Sequence, residues 1–270
     1  MLHAIAGTKG LALAFILAQG AIAGLSQGAA GWRMPPDTAI PVQFTRTLRA
    51  GKARPGDPVY VKTMQIVHPG PGRDLPKGSI ISGVIVEAKP LQRGLSASVL
   101  SFRFDRIETS EGVIPVHLYL RALANASDSE DASGPAPPAD MNLSGTRALI
   151  GGDRVTPFQR DVLQAGAEEG GDPVGENLKG GVFERLRPAQ AMDGINRMTC
   201  GGTATEQSVA IYSGDACGLY GLSTVYLAHA GKRTKGIIEL ESKFHNVILY
   251  SLSTALLQVA TEEDDPTSGR

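Results

Sequence analysis

Between Pro41 and Arg121 the chain is cut into short apolar runs by turn-forming residues, a pattern few architectures accept. Val42 and Phe44 alternate with other residues, as do Val59 and Val61. Leu100, Phe102 and Phe104 alternate with Ser101, Arg103 and Asp105, and Val116, Leu118 and Leu120 with His117, Tyr119 and Arg121. A period of two puts each set on one face of a strand. Ile80 to Val86 is rich in β-branched residues, which suits a strand buried on both faces. The separators are turn chemistry: Arg54-Pro55-Gly56-Asp57, Pro69 to Gly72, Pro76-Lys77-Gly78 and Glu111-Gly112. Five or six strands at this spacing predict a small antiparallel barrel or sandwich.

The rest of the chain extends that reading. With 33 Gly and 17 Pro in 270 residues, many short strands fit better than long helices. A second β-rich region is expected over 207–260, where Val209 and Ile211 alternate and Val225 to Ala228, Ile237 to Leu240 and Val247 to Val259 form apolar runs. The stretch between, 124–206, is acidic and irregular. Asn125 to Asp140 has no period and reads as a linker or exposed loop. Thr156-Pro157, then Phe158, Val162 and Leu163 before Gly166, predicts a short helix, and Val182 to Met192 a second one limited by Pro188. The organisation expected is therefore a leader at 1–23, a barrel-like domain at 32–123, the acidic middle, the second β region and a disordered tail at 261–270. The two β regions can also pack as one body.

The leader is read from Lys9, the apolar run Leu11 to Ala18 and the small residues Ala21-Ile22-Ala23, a secretory signal peptide pattern. Gln19 and Gly20 interrupt a run already short of the 20 or so apolar residues that a membrane span needs. No transmembrane helix is expected in the mature chain, and the location expected is periplasmic, extracellular or associated with the outer envelope of a bacterium. Cys200 and Cys217 are the two cysteines. In an oxidising compartment they predict one structural disulfide, since their spacing is far from Cys-x-x-Cys.

The net charge of −1 conceals a division along the chain. Lys and Arg outnumber Asp and Glu by 13 to 7 over Gly24 to Leu123, and are outnumbered 7 to 13 over Ala124 to Glu206. A basic first half can face an anionic surface such as an envelope polymer or lipid headgroups. The plainer reading scatters these charges over solvated faces, because no Lys/Arg run is dense. Nor are aromatics interleaved as nucleic-acid binding requires, so no nucleic-acid partner is expected.

The first β region also carries an order of motifs. Ile40-Pro41-Val42 opens a strand, Arg49-Ala50-Gly51-Lys52 and Pro55-Gly56-Asp57 form turns, and Leu75-Pro76-Lys77-Gly78-Ser79 precedes Ile80 to Val86 and then a Phe-containing strand. This arrangement resembles a β domain of many uncharacterised secreted bacterial proteins. Over Ile40 to Ala122 it is also similar to the β-barrel domain of the TrbI family of conjugation and type IV secretion proteins. That resemblance implies an envelope assembly in which the barrel forms rings with copies of itself. The chain differs from the TrbI pattern in having no retained N-terminal membrane helix and no long Pro-rich spacer, and no functional residue of that family carries over.

Catalytic motifs are missing. His68, His117, His229 and His245 form no His-x-x-x-His or His-Glu-x-x-His pair, Ser213-Gly214-Asp215 is not a nucleophile elbow, and the Gly-Gly pairs lack a following Lys-Ser/Thr. Asp128, Glu130 and Asp131 lack the glycine and terminal glutamate of a calcium loop. Asn125-Ala-Ser127 and Asn142-Leu-Ser144 are formal glycosylation sequons. One polar cluster is expected: a hairpin turning at Glu111-Gly112 would set Asp105 opposite His117 and Arg103 opposite Tyr119. No catalytic, cofactor-binding or metal-binding residue is assigned. The function expected is that of an exported, non-catalytic binding or structural module of the cell envelope, its partners envelope proteins or polymer or copies of itself. The alternatives are a secreted hydrolase with loop-borne acid and base residues, and a subunit of an envelope secretion or conjugation assembly.

Overall fold

A computed structural model describes residues 33–92, 94, 96–134, 146–156, 159–166, 172–179, 181–190, 198–228 and 236–260. The expected leader, the tail and His229 lie outside these residues. The chain is mainly β. In order come β1 (Ala39–Phe44), β2 (Leu48–Arg49), β3 (Pro58–Thr63), β4 (Val67–Gly70), β5 (Arg73–Leu75), β6 (Ile80–Lys89), β7 (Ser98–Thr109), β8 (Gly112–Pro115) and β9 (Leu118–Ala124). The helix α1 (Ala126–Ser133) follows, then β10 (Arg147–Ala148), β11 (Arg154–Val155), β12 (Asp161–Leu163), β13 (Pro173–Leu178), β14 (Gly181–Arg185), β15 (Ala189–Gln190), β16 (Thr199–Cys200) and β17 (Glu206–Ser208). The last are β18 (Gly218–Tyr220), β19 (Tyr226–Leu227), β20 (Ile237–Ser242), β21 (Ile248–Leu249) and β22 (Thr254–Val259).

The larger sheet runs β18-β9-β22-β1-β3-β6-β7-β20-β19, with β8 beside β7. Its pairings are antiparallel except that of β18 with β9. The ends of this order meet, β18 lying against β19 and β20 against β9. At that seam a Cβ on Gly236 would sit 3.3 Å from the Leu118 carbonyl. The sheet is thus a nearly closed barrel, which leaves little unpaired edge. β22 inserts between β1 and β9, and β20 pairs with β7, so strands from both β regions build one barrel.

Alternate residues fill the interior. Phe44, Phe102 and Phe104 form its aromatic centre, with centroids 5.8 Å apart for Phe44–Phe102 and for Phe102–Phe104, both edge-on. Curvature comes from β6, whose register against β7 shifts between Ser82 and Gly83. A Cβ on Gly83 would lie 1.8 Å from the Arg103 carbonyl oxygen, so only glycine fits this approach.

A second, antiparallel sheet runs β10-β11-β12-β13-β14-β17 and occupies the middle segment. The helices expected over Thr156–Gly166 and Val182–Met192 are replaced by strands at Asp161–Leu163 and Gly181–Arg185. Tertiary partners decide the second case: the Gln65 side chain donates to the Val182 carbonyl and accepts from its N–H, each at 3.1 Å. A side chain more than a hundred residues away thereby fixes the backbone of β14. Gly166, read as a helix stop, has φ +74° and turns the chain beyond β12 instead. Among the described residues the helix found is α1, inside the stretch read as a linker. Asn125 caps it, its side chain accepting the Asp128 N–H at 2.7 Å, and Ser129 and Ala132 face inward.

The second sheet and α1 cover one outer face of the barrel. Ala39, Ala122, Ala124 and Leu256 from barrel strands pack with Val155, Val162, Val182, Ile211 and Tyr212. All six residues of β22 are buried: Ala255, Leu257 and Val259 belong to the barrel core and Leu256 to the outer layer. That continuous burial explains the unbroken apolar run in its sequence.

Candidate functional site

The expected polar quartet does not assemble. β7 pairs with β8 in a register that sets Thr109 opposite Gly112 and Arg106 opposite Pro115, one residue away from the register that would face Asp105 with His117. Val116 still donates its N–H to the Asp105 carbonyl at 3.0 Å, but beyond it the chain leaves β7, and β9 pairs with β22 and β18. Tyr119 therefore lies opposite Gln258, while Arg103 lies between Val84 and Ile237. Asp105 is 3.8 Å from Arg106, and exposed His117 accepts the Ala260 N–H at its carbonyl. The other described histidines sit on the surface: His68 contacts Asp74 at 2.7 Å and His245 bonds Thr224. Among the described residues no group of three or more His, Cys, Asp or Glu converges to hold a metal ion. Cys200 and Cys217 form the disulfide, with Cα atoms 6.0 Å apart, and join β16 to the entry of β18.

The structure gathers charges elsewhere, between the barrel and the second sheet. Leu256 faces Ala122 and Leu257 faces Leu120, so Arg121 is the extra residue of a bulge in β9. Only 1% exposed, it is among the largest fully buried side chains. Its guanidinium donates to three backbone carbonyls, those of Arg187 at 2.7 Å, Gly214 at 2.9 Å, and Gly201. Burial pushes its pKa down to about 10, with Asp215 opposing, so it stays a cation at neutral pH. Beside it, Arg187 bonds Asp153 and lies 3.7 Å from Glu184 and 3.4 Å from Asp215. Glu184 also accepts the Gly214 N–H. Asp153 accepts the Ala165 N–H at 2.8 Å and donates its own N–H to Ser213.

Two carboxyl groups thus face each other out of contact with the surface. Burial first, and then the hydrogen bond and charge of Asp153, push the Glu184 pKa up to about 9. At neutral pH Glu184 therefore keeps its proton. With Asp215 the cluster balances Arg121 and Arg187, which lets it remain buried. Asp153 and Glu184 are both 0% exposed. A pair so enclosed offers a substrate no approach and braces the second sheet, while Arg121 ties that sheet to the barrel.

The accessible chemistry lies at the end of the barrel where β1, β6 and β20 finish and β3, β7 and β22 begin. Arg46, Arg49, Lys52 and Arg54 project from the β1–β3 connection, all exposed. None of the four makes an ion pair among the described residues. Arg46 lies 6.0 Å from the centroid of Tyr60, and Arg49 5.7 Å from that of Tyr250. A cleft of about 350 Å³ is lined by Arg46, Arg49, Lys52 and Tyr60. Asp57 also lines it, with its carboxylate accepting the Arg54 N–H at 2.8 Å.

These loops are well fastened. β2 pairs with β21, the Ala50 N–H bonds the Val247 carbonyl at 3.0 Å, and the Ser251 N–H bonds Thr47 Oγ1 at 3.1 Å. Across Tyr250 opens a second cleft of about 680 Å³, with Ser127, Thr224, His245 and Asn246 on its walls. A third, of about 500 Å³, lies between Lys62, Lys77 and Glu130, with Leu252 at its rim. The sequence signal for the basic face was the spacing Arg46-x-x-Arg49-x-x-Lys52-x-Arg54, a charge every two or three residues rather than a dense run.

Comparison with known proteins finds no matching family model, curated protein or solved structure.

Proposed function

We propose that this chain is an exported, non-catalytic module of the cell envelope that binds an anionic partner through the basic end of its barrel. The observation that carries the reading is the set Arg46, Arg49, Lys52 and Arg54, four exposed cations in nine residues with no carboxylate partner among the described residues. Unpaired, close-spaced cations repel one another and raise the local positive potential, and an anionic partner relieves both effects. The disulfide and the leader-like N-terminus are compatible with export. The enclosed Asp153–Glu184 pair weighs against a hydrolase built on those groups, since a general acid must reach its substrate.

The test is retention of the protein on envelope fractions as salt is raised. Arg46→Gln/Arg49→Gln/Lys52→Gln should release it at low salt while leaving its Tm unchanged. Equal retention of the wild type and the triple variant would refute the proposal. The barrel also supports a second reading, the ring assembly implied by the TrbI resemblance, for which a closed oligomer in solution would be the evidence.

A further inference from the structure

The basic end carries a second feature that charge alone does not explain. Six large hydrophobic side chains are exposed among the described residues, and Phe244, Tyr250 and Leu252 all come from the β20–β22 connection. Phe244 is 65% exposed and Leu252 57%. That connection holds Lys243 and no acidic residue, and it is pinned to the basic β1–β3 loop by the β2–β21 pairing. Leu252 is also held at φ +71°, the left-handed region that glycine or asparagine occupies more cheaply. Its N–H bonds the Phe44 carbonyl at 3.0 Å, which fixes the turn but does not require a leucine. An exposed leucine in a strained conformation is unfavourable twice over, and such outliers concentrate at binding surfaces.

We infer that this end of the barrel docks on an anionic lipid bilayer, with Phe244, Tyr250 and Leu252 entering the headgroup boundary and Arg46, Arg49 and Lys52 engaging lipid phosphates. The inference rests on the anion-binding reading above and names its partner. Tyr250 lies under Arg49, Phe244 follows Lys243, and Leu252 shares its cleft with Lys62, Lys77 and Glu130, a mixture that matches the interfacial zone of a membrane, where aromatic and aliphatic groups lose water while cations meet headgroups. A soluble acidic polymer satisfies the cations but gives Leu252 and Phe244 no apolar environment, so the bilayer accounts for both features. No helix among the described residues is long and apolar enough to cross a membrane. The contact inferred is therefore peripheral, and its strength should fall as salt is raised.

The test is co-sedimentation of the purified full-length chain with phosphatidylcholine vesicles prepared with and without phosphatidylglycerol. In parallel, binding to sodium polyphosphate is measured as a soluble polyanion. Every variant carries the same N-terminal segment, so differences between variants report the barrel end. The expected result is binding that depends on phosphatidylglycerol and weakens about fivefold for each of Arg46, Arg49 and Lys52 changed to Gln. Phe244→Ser and Leu252→Gly should each weaken vesicle binding severalfold and leave polyphosphate binding unchanged. Leu252→Gly is decisive, because it relieves the backbone strain: Tm should hold or rise while vesicle affinity falls. Polyphosphate binding without vesicle binding, or vesicle binding indifferent to Phe244→Ser and Leu252→Gly, would overturn the bilayer and leave the anionic partner standing. Binding to neither probe would overturn both.

Discussion

Replacing Glu184 with Gln tests whether the buried carboxyl pair stores a proton. In the folded chain the Glu184 pKa stands at about 9, against an ordinary 4.5. Between those values the native protein holds a proton that the unfolded chain has released. Raising the pH therefore favours unfolding, at about 1.4 kcal/mol per pH unit for one proton. The contribution is complete below the unfolded value and is lost as pH rises toward the folded one. From pH 6 to pH 8 this group alone should lower stability by about 3 kcal/mol. In Glu184→Gln the amide oxygen can still accept the Gly214 N–H and the amide nitrogen can donate to Asp153, with nothing left to titrate. Urea unfolding followed by far-ultraviolet circular dichroism at pH 5, 6.5 and 8, with the disulfide kept oxidised, gives both profiles. Contributions from other titrating groups are common to the two proteins, so their difference isolates Glu184. The variant should be flatter over pH 6–8 by about that amount. Glu184→Ala, which strands the Gly214 N–H, should lose about 1–3 kcal/mol at every pH. Parallel profiles for wild type and Glu184→Gln would refute a proton held on Glu184.

Arg121→Met removes the donor to the Arg187, Gly201 and Gly214 carbonyls, and equilibrium unfolding should show a loss of about 3–5 kcal/mol. Gly83→Ala forces a methyl against the Arg103 carbonyl, and should leave little folded protein, visible as lost near-ultraviolet dichroism. The double substitution Cys200→Ser/Cys217→Ser should cost about 3 kcal/mol in urea unfolding under non-reducing conditions; an unchanged midpoint would remove any stabilising role for the bridge.

Barrel strands such as Pro58–Thr63 were legible because one face meets the core and the other does not, which leaves a period of two, and Ile80–Lys89 because its apolar run is nearly continuous. The disulfide was legible because two cysteines admit one pairing. The middle segment was not legible. β13 has no buried residue to set a period, and β14 owes its backbone partner to Gln65, remote in sequence. α1 hid behind acidic composition, although Asn125 and Asp128 had the spacing of a cap. Arg121 was read as the outward residue of an alternating strand; its bulge turns it inward, and pairing with β22 creates that bulge. Asp153 and Glu184 stand 31 residues apart and meet only through the second sheet. The positive excess of the first half was countable, but the placement of Arg46, Arg49, Lys52 and Arg54 beside the β20–β22 connection depends on β2 crossing to β21.

The most direct test of the account places a photocrosslinking residue at Ala53, beside Lys52 in the basic loop, and separately at Val113, which is 64% exposed at the start of β8, at the opposite end of the barrel. Irradiation of cells followed by mass spectrometry of the adducts reads which end meets the envelope. The account expects adducts from Ala53 with an anionic envelope component and none from Val113. Adducts from Val113 alone, or none from Ala53 in protein that is folded and exported, would contradict it.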